Sequence, residues 1–169
     1  MSGRAARSSP SSAGAAEQGG PLQATPKATT EWIRSLRAPK PSFDPWVPQA
    51  VQIEDERARD GSTASVGTVF ITNRECPFTC LMCDLWKYTT DESVPVGAVD
   101  RQVESALAQM GAISQVKLYN AGNFFDDRAV APPDRERIAT RLGHLDAVIV
   151  ENHPKMVDDR VRAFRDLVG

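Results

Sequence analysis

From residue 66 onward the apolar positions follow a repeating rhythm. "VGTVFITN" (66–73) is a nearly unbroken apolar run and predicts a buried strand. Over about residues 98–110, Val103, Ala106, Leu107 and Met110 recur at helical spacing. "QVKLYN" (115–120) predicts a second strand. Pro132 and Pro133 then open a second helix, with Ile138 and Leu142 on its inner face. "DAVIVEN" (146–152) predicts a third strand, and "VDDRVRAFRDLVG" (157–169) a third helix that buries Val161, Phe164 and Leu167. Three strand–helix units with apolar strands predict an α/β fold, a parallel sheet covered by helices. Functional loops of such sheets sit at the carboxyl ends of the strands. Here those ends carry a cysteine loop, "YNAGNFFDD" and "ENHPK".

Upstream the pattern changes. Residues 1–30 are rich in Ser, Ala, Gly and Pro and hold one acidic residue, Glu17, so a disordered tail is expected. An Arg- and Ser-rich, acid-poor start also fits an organelle transit peptide, but no clear amphipathic helix accompanies it. Residues 31–65 read as an N-terminal helix and β extension, and 66–169 as the core. In "TTEWIRSLRAPKP", Thr29 or Thr30 is the expected cap, Trp32, Ile33 and Leu36 share a face, and Pro39 ends the helix. Val51 and Ile53 suggest a strand, and Asp60–Gly61 a turn.

Composition changes this picture only at the edges. Apolar residues make up 41% of the 169 residues, enough for a globular core. The net charge of −2 is no footprint of broad nucleic-acid binding, though it leaves room for a local basic patch. No run approaches the ~20 apolar residues of a membrane span, and the start lacks the apolar core of a secretory signal. A cytoplasmic protein is expected.

The candidate chemistry lies in "NRECPFTCLMCDLW" (73–86), which holds all three cysteines, Cys76, Cys80 and Cys83. An odd, clustered set reads poorly as a disulfide framework and better as a metal or redox site in a reducing compartment. Iron–sulfur clusters are normally held by four thiolates, so three on a four-iron cluster leave one iron open to a small chelating ligand. Zinc is the other reading: it takes four ligands, often Cys3His, and His153 on the same rim is a candidate fourth. The chain's other histidine is His144.

The Cys-x3-Cys-x2-Cys spacing directly after a first strand resembles the radical S-adenosylmethionine (SAM) superfamily. "NREC", "CDLW", "KLYN-x-GNFFD" and "VIVENHPK" together resemble the archaeosine-synthase radical SAM subunit and its bacterial relatives, within the Elongator-catalytic-subunit and methylthiotransferase class. The resemblance covers about residues 66–169. It implies a [4Fe–4S] cluster on Cys76, Cys80 and Cys83, with SAM chelating the open iron. An electron from the cluster, supplied by a donor such as flavodoxin or ferredoxin, then cleaves SAM to a radical that abstracts hydrogen from a substrate, a tRNA base or a related molecule.

The same resemblance implies roles for other residues. Met82 replaces the apolar or aromatic residue that lies beside the adenine of SAM. Tyr119, Asn120, Gly122 and Asn123 stand, with Ala121, where relatives carry a Gly-Gly-Glu-like motif for the amino group of SAM, a loose match. Glu151 is expected to contact SAM's polar groups or the substrate. His153 is a candidate for substrate binding or proton transfer, and equally a structural histidine. Lys87 reads as a solvated charge. No catalytic residue beyond these is assigned.

The superfamily core is a partial (βα)6 barrel of about six strand–helix units, and about three are present. The expectation is therefore a truncated product, a fragment, or half of a split enzyme whose second chain completes the barrel. The alternative function is a non-catalytic module that binds iron–sulfur or zinc.

Overall fold

The computed structural model describes residues 25–169. The chain divides into two units between Arg37 and Ala38. In the first, helix α1 runs Pro26–Ser35. Thr25 caps it, its side-chain oxygen accepting from the Ala28 N–H, and Pro26 occupies the first helical turn, where a missing N–H costs nothing. The expected start at Thr29 or Thr30 is therefore four to five residues late, and residues 26–30 of the expected tail are helical. The rest of that tail, residues 1–24, lies outside the described residues. Of the expected apolar face, Ile33 is buried, while Leu36 is the C-cap and is exposed.

The second unit is a mixed α/β arrangement around one four-stranded sheet, ordered β1-β2-β3-β4, which does not close into a barrel. β1 (Ala50–Arg57) and β2 (Thr63–Ile71) form an antiparallel hairpin. Its turn holds Gly61 at φ +87°, where Asp60 accepts from both the N–H and the hydroxyl of Ser62. The expected boundary at 65/66 thus falls inside a paired hairpin. β3 (Gln115–Asn120) pairs parallel with β2, and β4 (Ala147–Val150) parallel with β3. Helices α2 (Ala98–Met110) and α3 (Pro132–Leu142) make the crossovers, and α4 (Asp159–Val168) follows β4. Three strand–helix units are present, as the periodicity predicts.

One core sits between the sheet and these three helices. Val69 and Ile71 of β2 and Val116 and Leu118 of β3 meet Val99, Val103 and Ala106 of α2 and Ile138 and Leu142 of α3. Phe164 of α4 closes the end of this core by edge-to-face packing on Phe124 and Phe125, at centroid distances of 5.2 and 5.7 Å. That contact sets the phase of α4. Leu167 turns outward and is 52% exposed, contrary to expectation, and Val161 is only partly buried.

Two buried polar side chains fix the helices, one to the end of β2 and one to each other. Gln102 of α2 accepts from the Thr72 N–H at 2.8 Å and donates to the carbonyls of Thr72 and Pro45. Asp134, in the first turn of α3, accepts from the N–H groups of Gly97 and Val99, and so caps the start of α2 from another helix. The opposite face of the sheet carries the alternate residues. There Lys117 reaches across to both carboxylate oxygens of Glu56, and Phe70 meets the edge of Tyr119 at 5.8 Å.

Candidate functional site

The cysteine loop leaves the carboxyl end of β2 and is closed at its base. Thr90 donates its N–H to the Asn73 carbonyl, and Glu75 donates to the Thr90 carbonyl, both at 3.0 Å. Lys40, with a side chain only 11% exposed, bonds Glu75, Thr89 and Asp91 around that base. Residues 76–89 are thus held as a loop on a rigid stem. Cys76 and Cys83 are partly buried, Cys80 is exposed, and all three are free thiols.

The three rim loops meet. A Cβ built on Gly122, in the loop after β3, would lie 3.1 Å from the Cβ of Cys76 and 3.4 Å from its Sγ. Only a glycine lets this backbone approach the cysteine so closely, and its φ of +133° needs glycine as well. From the third rim, His153 stacks on Phe78 of the cysteine loop, with centroids 4.5 Å apart and planes 22° apart. Glu151 accepts from the Asn120 N–H at 3.2 Å, joining the ends of β3 and β4.

Beside these contacts lies a cavity of about 410 Å³. Leu85 and Tyr88 of the cysteine loop, Phe70 of β2, Tyr119 at the end of β3 and Glu151 contribute to its wall. β1 supplies the far side with Gln52. The wall is mostly apolar with a few polar groups, which is the usual make-up of a small-molecule site.

The sequence-predicted residues fall into three groups. Tyr119, Asn120 and Glu151 line the cavity, and Gly122 touches Cys76. Asn123 is buried, and its amide serves the fold: it donates to Asn152 at 2.8 Å and accepts from the Phe125 N–H at 2.6 Å. Met82 is 89% exposed at the loop tip and outside the cavity wall. Lys87 pairs with Asp84 at 3.2 Å on the surface, a solvated charge. His153 is exposed; its Nδ1 accepts from the Lys155 N–H. The sequence reading did not single out Phe78, Tyr88, Gln52 or Asn73. Asn73 did carry a signal: it is the first strongly polar side chain after the apolar strand.

The electrostatics bear on what the site holds. Burial pushes the Cys76 thiol above the ordinary thiol range, against the Phe78 N–H, which donates to it. Cys80, Cys83 and Asp126 push it the same way by charge repulsion. A thiol held neutral by burial is relieved by a bound cation. Burial likewise raises the Glu151 carboxyl above its usual range, offset in part by the Asn120 N–H. Asn120 is 3% exposed, and both polar atoms of its side chain are buried without a hydrogen-bond partner. Such orphaned groups are rare in folded proteins and expensive unless a ligand or ion meets them. Three soft donors, a glycine approach beside one of them and an unmet amide on the neighbouring strand fit a thiolate-bound cluster with a small polar ligand. Among the described residues, no three His, Cys, Asp or Glu side chains are already gathered around one point.

No family model matches the chain. No solved structure matches it either. An uncharacterized protein of Methanocaldococcus jannaschii is 26% identical over 137 residues, a match covering 71% of this chain and 38% of that protein. The chain thus matches well under half the length of that relative. Among the described residues, no helix is long and apolar enough to cross a membrane.

Proposed function

We propose that this chain is a radical SAM protein, with three units of a partial (βα)6 core, that holds a [4Fe–4S] cluster through Cys76, Cys80 and Cys83. The observation that carries the reading is the approach of Gly122 to Cys76, which brings the loop after β3 against a Cys-x3-Cys-x2-Cys loop at the end of β2. When bound, the cluster and SAM supply one-electron chemistry that ends in hydrogen-atom abstraction from a substrate. The chain's own residues do the rest. Cys76, Cys80 and Cys83 would hold the cluster as thiolates. Asn120 offers a buried amide to the amino or carboxylate group of SAM, and Glu151 a carboxylate to its polar groups. Tyr119, Phe70 and Tyr88 provide aromatic surface for a planar ring. The substrate class is a tRNA base or a related molecule, the electron donor a flavodoxin- or ferredoxin-like protein, and the setting the cytoplasm.

A second reading is favoured by one contact. The Phe78–His153 stack holds an imidazole beside the cysteine loop, as a Cys3His zinc module with no catalytic role would need. Metal analysis after anaerobic loading separates the two. The first reading predicts about four irons per chain and none in Cys80→Ala. Stoichiometric zinc, lost on His153→Ala, overturns it in favour of the second.

A further inference from the structure

The parallel pairing of β2 and β3 ends at Ile71 with Asn120. Beyond it, the side chain of Asn73 takes over. Its Oδ1 accepts from the Ala121 N–H at 3.2 Å, and its Nδ2 donates to the carbonyls of Arg74 at 2.6 Å and Ala121 at 3.4 Å. Asn73 is fully buried, and its own carbonyl receives the Thr90 N–H that closes the cysteine loop. One residue therefore grips the base of the cysteine loop with its backbone and the loop after β3 with its amide. Three residues on from Asn73 is Cys76, and one on from Ala121 is Gly122, whose built Cβ would lie 3.1 Å from the Cys76 Cβ.

We propose that Asn73 is a positioning residue that sets the gap between Cys76 and the Ala121–Gly122 backbone. Glycine at 122 permits the approach, and Asn73 enforces it. An aspartate at 73 keeps the acceptor for the Ala121 N–H but loses both amide donors, and an alanine loses all three bonds. Resting as it does on the proposed function, this assignment also predicts that Asn73 governs how well the loaded site takes SAM, without touching SAM or iron.

The test uses the full chain in two states. In the metal-free, reduced protein, Cys76 and Cys80 are alkylated with iodoacetamide, and their rates compared by mass spectrometry. Wild type labels the exposed Cys80 faster than Cys76. Asn73→Ala should raise the Cys76:Cys80 ratio by at least about fivefold, the scale of one of the three hydrogen bonds it loses, with Asn73→Asp in between and the far-ultraviolet circular dichroism unchanged. In the iron-loaded protein, Asn73→Ala should hold wild-type iron yet need about fivefold more SAM to change the electron paramagnetic resonance spectrum. An unchanged alkylation ratio in both variants overturns the assignment. Failure of the proposed function is distinguishable: if the wild type proves iron-free or zinc-bound, the Asn73 variants still show the alkylation shift, because that arm needs no cluster.

Discussion

Replacing Gly122 by alanine tests whether the loop after β3 is pressed against the cysteine loop. Two costs follow from the geometry. A residue with a side chain held at φ +133° is strained, by about 1–3 kcal/mol. The new methyl would also sit 3.1 Å from the Cys76 Cβ and 3.4 Å from both its Cα and Sγ. Carbon contacts are comfortable at about 3.5–4.0 Å, so Cys76 must yield. Its Cα is part of the loop backbone, so relief moves the Cys76 thiol with its backbone and not a free side-chain end. Together the two effects should cost about 2–6 kcal/mol. Gly111→Ala supplies the control. Its φ of +66° is also a glycine conformation, but nothing lies within 4 Å of the new methyl. It therefore pays the backbone cost alone. Urea denaturation of the two variants, followed by circular dichroism, measures the difference, and iron uptake reports its consequence. Gly122→Ala should be the less stable and should load less iron, whereas Gly111→Ala should load normally. Equal stability losses with full iron in both would refute the account of this rim.

Asp134→Ala should destabilise the fold by about 2–3 kcal/mol, because it orphans the Gly97 and Val99 N–H groups at the start of α2; thermal unfolding measures it, and a change below about 0.5 kcal/mol would contradict the cap. Glu151→Gln should alter the pH dependence of stability. Burial raises the Glu151 carboxyl in the folded state, so folding favours its protonated form. The wild type should therefore lose stability as pH climbs from the ordinary glutamate range through the raised value, and level off above. The glutamine keeps an acceptor for the Asn120 N–H and carries no charge, so its curve should lack that decline; denaturation midpoints across the pH series that run parallel for the two proteins would sink the argument. The same variant should weaken SAM binding while leaving iron content intact.

The parts of this fold that the sequence makes legible are those set by neighbours a few residues apart. Val103, Ala106 and Met110 mark the buried stripe of α2, and alternation or continuous apolar runs mark β2 and β3. The parts that escape are set by partners far along the chain. Gln102 and Asp134 look like solvent-facing positions until Thr72 and Gly97, 30 and 37 residues away, are seen to need them. The double phenylalanine of "GNFFDD" sits inside a site motif, yet both rings are buried anchors for Phe164. That stack, invisible in helical periodicity, is why Leu167 faces outward. The start of α1 was legible after all: Thr25-Pro26 is a cap followed by a first-turn proline, but Thr29 and Thr30 stand nearer the apolar face and draw the eye.

The candidate site divides in the same way. Spacing alone picks out Cys76, Cys80 and Cys83, and their place at the end of a strand follows from the α/β rhythm. Which rim residues meet them does not, since Gly122 reaches Cys76 and His153 reaches Phe78 only through the tertiary fold. Asn123 shows the converse. Its amide suits a ligand by type, but the turn before Phe124 needs it for Phe125 and Asn152.

The most direct test of the central claim is anaerobic reconstitution with iron and sulfide, followed by electron paramagnetic resonance of the reduced protein with and without SAM. The account predicts about four irons per chain and a spectrum that changes when SAM is added. A cluster blind to SAM, or zinc in place of iron, would contradict it.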